Sequence, residues 1–80
     1  MKYKLSIKEL EYVYDFIIMN GNMIAERIGI DQYMQASSVI CFDYLRPQVI
    51  EDQIYDYTYE YGELAENIRN ILDIIEESVA

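Results

Sequence analysis

The chain has 80 residues, 52% of them hydrophobic, with 15 acidic and 6 basic side chains, no histidine, and a net charge of −9. That is enough for one domain, at the lower edge of what a single core supports, and too apolar for a disordered chain. The acidity excludes ordinary nucleic-acid and anionic-lipid binding, both of which need Lys and Arg, and the missing histidine removes the commonest general base and metal ligand.

Residues 1–5, MKYKL, are left open between a short strand and a free arm. SIKE (6–9) has the form of a capping box, with Ser6 and Glu9 each reaching a backbone N–H of the other. Ile7, Leu10, Val13, Tyr14 and Ile17 follow on one helical stripe, and Asn20-Gly21 is expected to end this first helix. A short helix over 22–28 then stops at Gly29. Asp31 is the expected N-cap of a third helix running to about Leu45, with Tyr33, Met34, Val39, Phe42 and Leu45 as its apolar side. Cys41, within VICF (39–42), is expected to be a buried small hydrophobe. Pro47 ends that helix and suits the first turn of the next.

The last segment offers two patterns. YDYTYEY (55–61) alternates as a strand does. Ile50, Ile54, Tyr57, Tyr61, Leu64, Ile68, Ile71 and Ile75, however, are spaced by alternating steps of 4 and 3. Such a 3.5-residue repeat predicts a long helix or helix pair over 47–78, whose only interruption is Gly62. Unbroken, it would be about 48 Å long, too long for the rest of the fold to cover. The eight seam residues are therefore assigned to a homodimer interface. On this helix Asp52, Tyr55, Asp56, Tyr59, Glu60, Glu63 and Glu66 point outward, continued by Asp73, Glu76 and Glu77. The expected architecture is all-α and a single domain over 1–80: three short N-terminal helices plus the long C-terminal element.

MIAERIGI (23–30) and the helix after it resemble a helix-turn-helix, with Ala25 in the first helix and Gly29 in the turn. The resemblance implies a dimeric transcriptional regulator or antirepressor. Two departures weigh against that use. The core position six residues after the turn glycine is Gln35, with only Ala36 or Val39 as shifted substitutes, and residues 32–45 hold no Lys or Arg to clamp phosphates. A three-helix scaffold without DNA contact is the expectation.

No calcium loop, glycine-rich phosphate loop or paired nucleophile and base is present, so no enzyme, metal or cofactor is expected. The lone cysteine fits a reducing compartment, and no apolar run could span a membrane. A cytoplasmic location follows. Thirteen isoleucines against five leucines hint at an AT-rich genome, hence a bacterial host cell and a phage or mobile element. Residues 41–80 carry ten carboxylates against two arginines. A rigid acidic face of that kind suits the basic groove of a nucleic-acid-binding protein, with tyrosines as anchors. In size and charge the chain resembles small acidic phage-encoded inhibitors, including DNA mimics and some anti-CRISPR proteins. Non-catalytic inhibition is thus the leading expectation. The partner-binding residues are the outward set from Asp52 to Glu66, and an antitoxin is a third reading.

Overall fold

The computed structural model describes residues 2–46, 50–59 and 61–79. In order they form β1 (Lys4–Leu5), α1 (Ile7–Ile28), α2 (Ile30–Leu45), β2 (Tyr55–Asp56) and α3 (Glu63–Val79). The fold is thus broadly all-α, three helices packed on one another with a two-stranded sheet at one end. The expected layout of three short helices and one long one does not hold.

α1 starts as its sequence dictates. The Ser6 hydroxyl accepts from the Glu9 N–H at 3.2 Å, and the Glu9 carboxylate accepts from the Ser6 N–H at 3.0 Å. These bonds hold the Glu9 carboxyl below its ordinary range. The helix does not stop at Asn20-Gly21. It kinks there, with Asn20 at φ −124°, ψ 22°, and runs on to Ile28. The reason lies across the interface with α2: the Tyr33 hydroxyl comes to 3.4 Å of the Ile17 carbonyl. A Cβ on Gly21 would stand only 2.4 Å from that same hydroxyl, so the glycine makes room for the tyrosine. The first and second expected helices are therefore one bent helix.

Gly29 alone separates α1 from α2, at φ 99°, a conformation that favours glycine. Gly29, rather than Asp31, occupies the N-cap position, and Asp31 falls in the first turn. The face that α2 buries also differs from expectation. Ala36, Ser37 and Ile40 are buried, with Tyr33, Val39, Cys41 and Tyr44 packed against the core. Met34, Phe42 and Leu45 are 58%, 67% and 61% exposed. Tyr44 stacks on Tyr14 of α1 with ring centroids 4.9 Å apart, tying the two helices together.

The strand reading of YDYTYEY prevails where it begins. Leu5 pairs with Tyr55 and Lys4 with Asp56 in an antiparallel ladder, extended by the Tyr57 N–H donating to the Tyr3 carbonyl at 2.9 Å. Tyr55 and Tyr57 share the buried side and Asp56 lies opposite, the period of two that strands require. Pairing with β1 lets the chain bury two tyrosines against itself, which an isolated helix over 47–61 could not do. Beyond Gly62, at φ 102°, the 3.5-residue pattern does form a helix. On α3, Ile68, Ile71, Leu72 and Ile75 reach the core of the same chain, beside Leu10, Val13, Ile17, Ile24 and Ile40.

Candidate functional site

The eight seam residues do not form one face. Tyr57, Ile68, Ile71 and Ile75 are buried within the chain, whereas Ile50, Ile54 and Tyr61 are exposed and Leu64 is partly so. Leu64, Ile68, Ile71 and Ile75 lie on α3, whereas Ile50, Ile54, Tyr57 and Tyr61 precede it, where none of the described residues is helical.

The outward set also divides. Tyr55 is buried in the ladder. Asp56 is committed locally: its carboxylate accepts from the Thr58 hydroxyl and from the Thr58 N–H at 2.9 Å, and it lies 3.9 Å from the Lys4 ammonium. Those bonds hold its carboxyl below the usual carboxylate range. Asp52 is exposed in a turn closed by the Gln53 N–H on the Ile50 carbonyl, at φ 69°, which aspartate tolerates. Glu60 lies outside the described residues. Tyr59, Glu63 and Glu66 remain on the surface as expected.

These three sit at one end of a longer acidic stripe. α3 buries one side, so its opposite side presents Glu63, Glu66, Asn70, Asp73 and Glu77 at alternating steps of 3 and 4. The stripe is about 21 Å long at the rise of an α-helix. Its two ends differ in charge balance. At the C-terminal end Arg27 bridges Glu77 at 3.1 Å, Lys2 lies 3.6 Å from Asp73, and the Tyr3 hydroxyl donates to Asp73 at 2.9 Å. Burial, and then Asp73, push the Tyr3 hydroxyl above its ordinary value. At the N-terminal end no cation among the described residues lies within ion-pairing distance of Glu63 or Glu66.

The residues leading into that open end are tyrosines. Tyr59 is 73% exposed and Tyr61 is 90% exposed, on either side of position 60 and just before the first turn of α3. Tyr57, two residues earlier, is anchored instead: its hydroxyl donates to Asp43 at 2.7 Å and its carbonyl accepts from Arg69 at 3.0 Å. The chain therefore leaves the core at Tyr57 and carries the next two tyrosines into solvent. Sequence spacing placed Tyr61 in a seam. The neighbouring Gly62 was the signal that the helix begins after it.

The carboxylates at this end have a structural share as well. Glu63 and Glu66 lie in the first turn of α3, where the helix dipole stabilises each negative charge by about 0.3–1 kcal/mol. Surface depressions lie elsewhere. One of about 390 Å³ is lined by Ser6, Ile7, Lys8, Glu51 and Asp52, and one of about 280 Å³ lies beside the neutralised end of the stripe at Arg27, Asn70 and Asp73. Among the described residues no group of three or more ligating side chains is placed to hold a metal ion. No described helix is long and apolar enough to cross a membrane. No protein-family model, curated protein or solved structure matches this chain.

Proposed function

We propose that the chain is a non-catalytic binding protein that masks a basic surface on a nucleic-acid-handling protein, using Tyr59, Tyr61, Glu63 and Glu66 as its contact. The observation that carries this reading is the pairing of two exposed tyrosines with carboxylates that have no cation within ion-pairing distance among the described residues. Exposed aromatic rings next to unneutralised charge combine short-range anchoring with long-range steering, the two components of a tight and fast protein interface. Lys2 and Arg27 neutralise the far end of the stripe, so the open end concentrates the field of a chain with net charge −9. Asp52 is also exposed, while Tyr55 and Asp56 belong to the fold. A helix-turn-helix regulator would read DNA through α2, whose residues 30–45 include no Lys or Arg, so that reading gains nothing from the geometry.

The experiment is capture from a bacterial lysate on the immobilised full chain, with added duplex DNA as competitor. Basic nucleic-acid-binding proteins should be retained, displaced by the DNA, and lost on the variant Tyr59→Ala/Tyr61→Ala/Glu63→Lys/Glu66→Lys. Capture that ignores both the DNA and the variant contradicts the proposal.

A further inference from the structure

α2 has an outward stripe that the fold leaves uncovered and that the acidic contact does not use. Opposite its buried residues Ala36, Ser37 and Ile40 lie Ile30, Met34, Ser38, Phe42 and Leu45, at steps of 4, 4, 4 and 3. Ile30, Met34, Phe42 and Leu45 are each 58–67% exposed. Single exposed apolar residues are ordinary, but four on one helix stripe mark a contact surface. We propose that this stripe is the interface of a symmetric homodimer, in which α2 crosses the α2 of a second copy antiparallel about Ser38.

The stripe is complementary to itself. Met34 and Phe42 each stand four residues from Ser38, so a two-fold axis beside Ser38 sets Met34 against the partner's Phe42, and the reverse. A thioether against an aromatic ring is a favourable contact. Ser38 suits the crossing point because it is small and its hydroxyl already donates to the Met34 carbonyl of its own helix at 2.6 Å. The helices can then approach without stranding a polar group. Charge selects the direction. Asp31 and Arg46 are both exposed, at opposite ends of the stripe, and neither makes an ion pair among the described residues. Antiparallel crossing brings Asp31 beside the partner's Arg46 twice, whereas parallel crossing would set like charges together.

A second copy is also the occupant that charge elsewhere permits. Two chains of net charge −9 repel each other, so they can meet only where acids are sparse. Along α2 the carboxylates are Asp31, balanced as above, and Asp43, whose carboxylate accepts from the Tyr57 hydroxyl. The contact extends beyond the stripe at one end. Ile18 and Met19, 63% and 82% exposed, line a depression of about 280 Å³ together with Ile30 and Tyr33. Antiparallel crossing directs the partner's Leu45 towards it. Neither Glu63 nor Glu66 belongs to the α2 stripe, so the dimer does not depend on the proposed function.

Sedimentation velocity of the full chain at about 10–100 µM tests the inference, a range in which an interface near the small end of stable size should be populated. The wild-type chain should sediment as a dimer. Phe42→Glu and Met34→Glu should each give monomers with unchanged circular dichroism. Asp31→Arg should weaken the dimer and Asp31→Arg/Arg46→Asp should restore it. If a glutamate variant loses its helicity, Ser38→Cys in a Cys41→Ser chain decides instead, because a residue on the two-fold axis cross-links to its own copy on mild oxidation. A wild-type monomer throughout the range, a dimer that survives Phe42→Glu, a charge swap that fails to restore association, or a chain that does not cross-link at position 38 would each overturn the proposal.

Discussion

Tyr57 and Tyr61 are equivalent if residues 50–75 form one helical seam, and opposite in consequence if the chain turns as described. Tyr57 is 4% exposed and closes the sheet end of the core, whereas Tyr61 is 90% exposed. Truncating a buried aromatic to alanine removes its transfer free energy and leaves a cavity, so Tyr57→Ala should cost about 3–5 kcal/mol. Tyr61→Ala should stay within about 0.5 kcal/mol of wild type. An 80-residue domain has only about 4–12 kcal/mol of total stability, so Tyr57→Ala can unfold the chain outright. Tyr57→Phe gives the finer measurement. It keeps the ring and deletes the 2.7 Å hydrogen bond to Asp43. Asp43 is only half-buried and regains water, so the loss should sit near the low end for a charged acceptor, about 1.5 kcal/mol. For a domain of this size that is a fall in Tm of about 6–12 °C. Urea denaturation followed by circular dichroism measures all three variants. Equal destabilisation by Tyr57→Ala and Tyr61→Ala would refute the placement of residues 55–61.

Two further outcomes follow from local chemistry. Ser6→Ala removes half of the capping box and should lower stability by about 1 kcal/mol in the same urea experiment, with helix content otherwise retained. Burial, the largest cause for each, pushes the Tyr3, Tyr33 and Tyr44 hydroxyls above the ordinary value of 10.0. The neutral form is thus favoured by folding, and its stabilising effect is complete below 10.0 and is lost as pH rises through the higher folded values. The urea midpoint should hold steady up to about pH 10 and fall as pH rises beyond it, and Tyr3→Phe with Tyr44→Phe should flatten that fall.

Much of the helical frame is legible from local signals. Ser6 with Glu9 sets the start of α1, and Gly29 sets the break before α2. Asn20-Gly21 marks a real weakness, but Tyr33 of α2 turns the stop into a kink, and nothing within α1 announces that tyrosine. The α3 pattern at Ile68, Ile71 and Ile75 survives because it is true helical amphipathicity. Its extension back to Ile50 was coincidence of spacing: the backbone partners of Tyr55 and Tyr57 are Leu5 and Tyr3, some 50 residues earlier. α2 was harder still. Its two sides are similarly apolar, with Tyr33, Val39 and Ile40 on one and Met34, Phe42 and Leu45 on the other, so periodicity cannot choose between them. At the candidate site, Tyr59, Glu63 and Glu66 were legible because they border the start of a true helix. Tyr55 and Asp56 were not, because a ladder partner far along the chain claims them.

The binding claim is tested most directly by rate constants for the captured partner on wild-type and variant chains over a range of salt. Glu63→Lys/Glu66→Lys should chiefly slow association, and raised salt should imitate it, as steering by charge requires. Tyr59→Ala/Tyr61→Ala should chiefly hasten dissociation, because short-range anchors are lost. Tyr59→Ala/Tyr61→Ala should leave the unfolding free energy within about 1 kcal/mol of wild type. Glu63→Lys/Glu66→Lys should lower it by about 1–4 kcal/mol, the helix-dipole share of two first-turn charges reversed in sign. A partner that binds the fourfold variant with wild-type rates would contradict the account.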